Sequence, residues 1–476
     1  MSGIKSSLLK AGILAAFGAI CIAGTIDLNN LYNYANQSVP NYINKDNTAA
    51  NVITDEGATL GRVLFYDKKL SVDNTIACAS CHHQEFAFSD TARASVGVDG
   101  TTPRHSMRLI NSRFADEDNF FWDERAATLE AQTTMPIQDH IEMGWSGMNG
   151  DPDLDSLMRK MAGIDYYKQL FTLVYGDTIV TETRIQNAIA QFVRSIQSFD
   201  SKFDIGRAQV NGDGAPFPNF TASENSGKQL FLAPPQFDAN GSRTGGGLGC
   251  QGCHRAPEFD IAPNSGNNGF VTTINNTGLD FTITRSPTLR DLFDTNGVAN
   301  GPFMHHGGST NIQTVLSHYD SIVIAPGNNT IDPRLVPGGN PQRLNLTAQE
   351  RADVIAFLHT LTGTDVYKNE IWSNPFDAQG NLTIVGQVSL TEGWSLDPNV
   401  TVYPNPASQW VNVEYESYQD AEVIIYDQFG RTLAREYMTK STVEIDVSQY
   451  PSGLYVVAIQ KVNGTEPIAV TRFIRQ

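Results

Sequence analysis

The chain of 476 residues carries 51 acidic and 33 basic side chains, a formal charge of −18 that argues against nucleic acid or an anionic membrane surface as its partner. Its length suits two or three domains, and a hydrophobic content of 40% is enough to build true cores. An acidic surface suits a basic protein partner, or simply solubility.

Residues 1–24 read as a secretory signal peptide, with Lys5 and Lys10, an apolar run over 11–23 and then polar sequence. The run is too short to span a bilayer comfortably, so no transmembrane span is expected in the mature protein. Cys21 leaves with this segment, because Ile20 is a poor match to the small residue that lipoprotein processing requires. Residues 28–47, rich in Asn and Tyr, read as an extended lead-in. Thr54 then caps a short helix with apolar positions at Leu60, Val63 and Leu64.

There follows Cys78-Ala-Ser-Cys81-His82, the C-x-x-C-H pattern of covalent c-type haem attachment. Two thiols at this spacing can form thioethers to both vinyl edges of one porphyrin, while the adjoining imidazole reaches its iron. His83, beside it, is expected to be solvated. The pattern recurs as Cys250-Gln-Gly-Cys253-His254, which uses four of the five cysteines and leaves none for a disulfide. A zinc site or a disulfide is the alternative reading of either motif.

Helical spacing marks 127–135 and 183–203, the second as one long amphipathic helix with Ile185, Ile189, Phe192, Val193 and Ile196 in its core stripe. Residues 211–240 turn to Gly, Pro, Asn and Ala and read as an inter-domain passage. Thr347-Ala-Gln-Glu350 is a capping box leading into a helix over 351–361. From about 386, alternating runs at 411–415, 422–426, 442–447 and 454–460, with turns at 428–430 and 451–453, read as a small β-sandwich lacking His and Cys. The expected fold is therefore mainly α: two cytochrome c-like haem domains, 25–210 and 211–385, related as a diverged internal repeat, followed by a C-terminal β-sandwich over 386–476.

Between the motifs, Phe121-Trp122-Asp123-Glu124-Arg125-Ala126, Gln132, Pro136 and Glu142-Met143-Gly144 bring a carboxylate, an amide and a tryptophan into one stretch. Peroxide reduction needs a carboxylate over the iron to carry a proton between the two peroxide oxygens, and an amide to orient the peroxide. Read singly, Glu142 could be a helix cap, Gln132 a solvated helix residue and Trp122 core.

Taken with Pro302-Phe-Met-His305-x-Gly307, these motifs resemble the bacterial di-haem cytochrome c peroxidase family, which includes MauG, over about residues 51–369. The resemblance implies that Cys78, Cys81 and His82 bind a peroxidatic haem and that Cys250, Cys253 and His254 bind an electron-transfer haem. It makes Glu142 the acid/base group, places Gln132 and Pro136 in the distal pocket and makes Trp122 the electron relay between the haems. The axial Met of the peroxidases falls seventeen residues after the Pro of this motif, which here is Tyr319, a position at which MauG also has tyrosine. A phenolate lowers the potential where a thioether raises it; Met304 is the alternative ligand. Many peroxidases close the peroxidatic iron with a His on the loop after the first motif, but 92–100 has none. An open iron is expected, with the nearest imidazole, His105, as a loop residue or alternatively a ligand. The family's inter-domain calcium would fall at Asn300 and Pro302, with His105 where a side-chain amide is expected.

The tail resembles a second family. Tyr403-Pro-Asn-Pro406, Tyr426-Asp-x-x-Gly430-Arg431, Gly453-Leu-Tyr455 and the final Phe-Ile-Arg-Gln are similar to the C-terminal sorting domain of type IX secretion, which implies export across the outer membrane. A β-sandwich binding module is the alternative. The resulting expectation is an exported protein, periplasmic or at the cell surface, that reduces hydrogen peroxide with electrons from a small cytochrome c or cupredoxin. A MauG-like oxidase acting on protein side chains and a di-haem electron carrier without turnover are the competing readings.

Overall fold

The computed structural model describes residues 28, 30–115, 119–261, 265–274, 278–383, 399–426, 432–451, 453–462 and 467–475. The expected signal segment 1–24 with Cys21, the turn 428–430, Arg431 and the terminal Gln476 lie outside these residues.

Helix α1 (Asp55–Tyr66) begins where Thr54 Oγ1 accepts the Gly57 N–H at 2.9 Å, with Asp55 and Glu56 complementing its positive end. A small hairpin, β1 (Val96–Gly97) and β2 (Gly100–Thr101), follows the first cysteine motif. Helices α2 (Leu129–Thr134), α3 (Leu154–Ala162), α4 (Asp165–Tyr175) and α5 (Glu182–Ser195) complete the first half. Leu60, Val63 and Leu64 of α1 and Ile185, Ile189 and Phe192 of α5 share its core.

The spacing over 183–203 predicts one helix, but the structure ends α5 at Ser195 and opens α6 (Lys202–Arg207) separately. Asn111 takes over the backbone at the break: its N–H donates to the Ile196 carbonyl at 2.9 Å and its Oδ1 accepts the Ser198 N–H at 2.8 Å. Ser201 and Asp204 then start α6 as a reciprocal capping box. Within the expected passage 211–240 lies α7 (Ala222–Leu232), started by a second capping box, Thr221 with Glu224, which the surrounding Gly, Pro and Asn obscure.

The second half continues with two short pairs, β3 (Pro235–Phe237) with β4 (Arg243–Gly246) and β5 (His254–Arg255) with β6 (Asp260–Ile261), then α8 (Ile312–Asp320) and α9 (Ala348–His359). Its own core gathers Phe203, Phe231, Phe259, Leu316 and Phe357. The chain then returns, and Val366 and Trp372 are buried in the first core, where the Trp372 indole donates to the Ser195 carbonyl at 3.1 Å. A buried ion pair joins the halves: Arg290 Nη1 and Nη2 each meet a carboxylate oxygen of Asp204 at 2.9 Å, and Tyr42 donates to the same carboxylate at 2.8 Å.

Each half packs the helix before its motif against a later helix through a glycine. A Cβ at Gly61 of α1 would lie 1.9 Å from the Ala188 carbonyl oxygen of α5, and one at Gly227 of α7 would lie 1.9 Å from the Asp353 carbonyl oxygen of α9.

The C-terminal region is a sandwich of two antiparallel sheets. The strands β7 (Val400–Tyr403), β8 (Trp410–Tyr415), β9 (Ala421–Tyr426), β10 (Thr432–Tyr437), β11 (Thr442–Asp446), β12 (Gly453–Lys461) and β13 (Pro467–Arg475) order as β10-β9-β12-β13 and β11-β8-β7. Val411, Val413, Val423, Ile425, Val457 and Phe473 form the core between them. Sequence alternation finds β8, β9, β11 and β12 but misses β7, β10 and β13. All three missed strands are sheet edges, and β10 is exposed along nearly all its length, so no apolar alternation marks it. No helix among the described residues is long and apolar enough to cross a membrane.

Gly61→Ala and Gly227→Ala should each destabilise the protein by about 1–3 kcal/mol, although alanine is the better helix former, because each methyl group meets a backbone carbonyl. The midpoint of denaturant unfolding of the full chain measures the effect.

Candidate active site

Each C-x-x-C-H motif opens with a tight 3₁₀ turn, Cys78–Ser80 or Cys250–Gly252. The N–H groups of Cys81 and His82 both donate to the Cys78 carbonyl, at 3.1 and 3.0 Å, and Cys253 N–H donates to the Cys250 carbonyl at 3.2 Å. After each motif a fully buried phenylalanine turns the chain in the left-handed region, Phe88 at φ 59° and Phe259 at φ 56°.

These turns orient the imidazoles. His82 Nδ1 lies 3.2 Å from the Phe88 carbonyl oxygen, and His254 Nδ1 lies 2.9 Å from that of Pro287. A carbonyl only accepts, so Nδ1 carries the proton and Nε2 is the lone-pair nitrogen that a metal would take. Burial pushes both imidazoles down to about 4, so both are neutral at pH 7. Burial also raises the thiols, Cys78 and Cys250 to about 12 and Cys81 and Cys253 to about 11. All four thiols are protonated at neutral pH and outside any disulfide. No group of three His, Cys, Asp or Glu among the described residues is placed to hold a metal ion, which disfavours the zinc alternative.

The first motif faces a narrow cleft of about 80 Å³, lined by Cys78, Cys81 and His82 together with Gln132, Pro136 and Glu142. The second faces a cavity of about 530 Å³, lined by Cys250, Cys253, His254, Tyr319, Arg334 and apolar walls that include Leu248 and Leu358. Paired thiols, a neutral imidazole with its proton on Nδ1, and apolar walls are what a c-type haem asks of its site, and both sites supply them.

Glu142 sits where two backbone bonds fasten its segment to the hairpin: Val98 N–H donates to the Glu142 carbonyl and Asp99 N–H to the Ile141 carbonyl, both at 3.1 Å. Gly97 allows this approach, since a Cβ there would lie 2.0 Å from the Ile141 oxygen. Burial, then the neighbouring Asp139 charge, pushes the Glu142 carboxyl up to about 7, against the pull of Arg125. Gln132 lies on α2, which an ion pair between Glu130 and Arg194 ties to α5.

Trp122 lines neither cavity. It is buried at the seam, where its indole N–H donates to the His105 carbonyl at 2.7 Å, its carbonyl accepts the Arg285 N–H at 2.7 Å, and its ring meets His305 edge-on at 6.3 Å. Arg104 spans the same seam, reaching Asp123 at 2.7 Å and Asp280 at 2.6 Å. His105 is buried outside the first cleft, with Nδ1 at 3.0 Å from the Ala92 carbonyl oxygen. His83 is half-buried rather than solvated, edge-on to Phe86 at 6.1 Å.

Tyr319 lines the second cavity, and burial raises its phenol. Met304 lies outside that cavity, with its sulfur 3.8 Å from the Asn268 amide nitrogen. Asn300 is buried, and its amide donates to the Asp291 carbonyl at 2.9 Å and the Tyr367 hydroxyl at 2.8 Å. The calcium expected at Asn300 and Pro302 enters no step below. Sequence reasoning missed Asn268 and Arg334 of the second cavity and Thr133 and Leu109 of the first. Thr133 follows Gln132 on α2, whereas no spacing marks Leu109, Asn268 and Arg334, which lie far in sequence from the motifs they face.

The profile described as "Di-haem cytochrome c peroxidase" matches residues 55–211, and that of the "Secretion system C-terminal sorting domain" matches 401–471. The chain is 30% identical to the methylamine utilization protein MauG of Methylophilus methylotrophus over 322 residues, 66% of this chain and 84% of that one. It is 26% identical to the cytochrome c551 peroxidase of Nitrosomonas europaea over 318 residues, 64% of this chain and 80% of that one. Among solved structures, a MauG-like protein associated with microbial copper homeostasis aligns with a TM-score of 0.54 at 28% identity, covering 71% of this chain and 99% of that one.

The raised acidity constant of Glu142 has a sign in stability. A folded value of about 7 against an ordinary 4.5 means that the folded protein binds this proton more tightly than the unfolded chain. The contribution is complete below the unfolded value and is lost as pH rises through the folded one. Glu142→Gln should therefore leave the Tm near that of the parent at acidic pH and raise it at mildly alkaline pH, as calorimetry at the two pH values would read.

Proposed function

The chain belongs to the di-haem cytochrome c peroxidase and MauG family, and on that premise we propose that it is an exported peroxidase reducing hydrogen peroxide to water. Peroxide is taken at the Cys78–His82 cleft, and electrons enter from a small redox protein, a cytochrome c or cupredoxin, by way of the Cys250–His254 cavity. Two covalently attached c-type haems, one in each of two haem domains over 25–210 and 211–385, belong to this reading. The observation that carries it is Glu142: a half-buried residue whose carboxyl is pushed up to about 7, in the same cleft as His82 and Gln132.

Bound haem supplies the iron that takes peroxide and exchanges electrons. The chain supplies the proton handling and the fixed geometry. Near pH 7 the Glu142 carboxyl is present in both forms, so it accepts a proton from the near peroxide oxygen and returns it to the far one, which leaves as water. The Gln132 amide donates a hydrogen bond that orients the substrate, and Pro136 narrows the cleft beside it. Trp122, with its indole N–H fixed by the His105 carbonyl, is the relay for electrons between the halves. Tyr319, which lines the same cavity as His254, would be the second residue to hold the haem at the electron-transfer site.

A second reading, a MauG-like oxidase that withdraws electrons from another protein's side chains, is favoured by Tyr319, since a phenolate ligand lowers the potential that a high-potential entry port needs. The sorting tail supports export through type IX secretion toward the cell surface.

Glu142→Gln should lower kcat for peroxide turnover by roughly 10²–10⁴-fold, whereas a di-haem carrier shows two low-spin haems and no turnover to lose. Unchanged turnover would remove Glu142 from its role. Tyr319→Phe should abolish the low-spin paramagnetic resonance signal of the second haem while Met304→Leu leaves it intact; the reverse pattern would assign Met304 as the ligand.

A further inference from the structure

His140 lies two residues before Glu142 and is held from both sides. Its Nδ1 is 2.7 Å from Asp151 Oδ2, and its Nε2 is 2.8 Å from Asp99 Oδ2. The two carboxylates come from different elements. Asp99 sits in the turn of the β1–β2 hairpin, and its own N–H is one of the two that clip the Ile141–Glu142 backbone. Asp151 lies on the loop that leaves the Glu142 segment and is fixed by the Ser146 hydroxyl at 2.6 Å. The remaining nearby carboxylate, Asp139, faces its own backbone, its Oδ1 accepting the N–H groups of Ile141 and Glu142 at 2.8 and 3.1 Å.

An imidazole donates from both nitrogens only when it carries both protons. Either carboxylate contact therefore becomes an oxygen facing a lone pair once the ring is neutral. We propose that His140, as imidazolium, is a positioning residue that clamps the Glu142 segment between the hairpin and the loop at 151, so that the proton carrier stays aimed into the cleft. This rests on Glu142 being that carrier. The bond to Asp151, then the charges of Asp151 and Asp99, raise the imidazole above its ordinary range, which extends upward the pH range over which the clamp stays closed. The clamp opens on the alkaline side, where the ring loses a proton and the hairpin loses its hold.

The test uses the haem-loaded full chain. In the parent, kcat for peroxide should fall on the alkaline side with KM little changed, and in Asp151→Asn that limb should move to lower pH. His140→Gln, with no titrating ring, should lose the limb and show a kcat about tenfold lower at pH 6, the scale of a small misplacement. Hydrogen exchange at the Val98 and Asp99 amides, corrected for its intrinsic pH dependence, should speed up in the parent on the same limb and be fast at every pH in His140→Gln. Asp99→Asn, at an exposed position, gives a second variant that should behave like Asp151→Asn. Parent-like kcat and pH profile in His140→Gln, or exchange indifferent to both pH and substitution, would overturn the clamp. If Glu142→Gln leaves turnover intact, the carrier reading fails and the exchange data alone judge the clamp.

Discussion

The buried pair of Arg290 and Asp204 fixes the geometry on which both sites depend. The guanidinium is fully shielded from solvent, and the carboxylate nearly so, at 0% and 4% side-chain exposure. Two charges in that setting persist because they meet each other and further polar groups: the fork reaches both carboxylate oxygens, the Pro257 carbonyl accepts from Nη2 and the Tyr42 hydroxyl donates to the carboxylate, while Arg290 Nε has no partner. Arg290 follows the second motif in sequence, and Asp204 follows the last helix of the first half. The bidentate geometry thus sets their mutual orientation as well as their distance. Removing one partner of such a pair costs about 3–5 kcal/mol, far more than an exposed pair is worth.

What the sequence makes legible is the chemistry confined to short stretches. Cys78, Cys81 and His82 are seen to converge from spacing alone, because the turn that aligns them needs only five consecutive residues. Thr54 and Thr347 mark helix starts for the same reason, since a cap acts over three or four positions. The β-strands that the sequence finds carry apolar runs, and β9 and β12 among them are buried along most of their length. What stays hidden depends on residues far apart. The end of α5 at Ser195 is set by Asn111, more than eighty positions upstream, and no local pattern reports it. Asn268 and Arg334 reach the second cavity on loops, and the exposed edge β10 carries no apolar period to read.

Burial is the tuning device at both sites, and it acts with opposite sign on acids and bases. It keeps His82 and His254 neutral, which a metal ligand must be, and keeps Glu142 protonated well above the ordinary carboxylate range. Outside the cleft the logic reverses. His140, half-exposed and flanked by carboxylates, is held in its charged form by direct hydrogen bonds rather than by loss of solvent. A few residues of one segment thus contain a carboxyl favoured neutral and an imidazole favoured charged.

The return of the chain to the first core bears on the order in which the protein can be made. Val366 and Trp372 belong to the same cluster as Leu60 and Phe192, and the Tyr66 hydroxyl donates to the Trp372 carbonyl at 2.7 Å. A polypeptide delivered N-terminus first must therefore hold its leading half incomplete, with apolar surface uncovered, until nearly the whole of the trailing half has emerged.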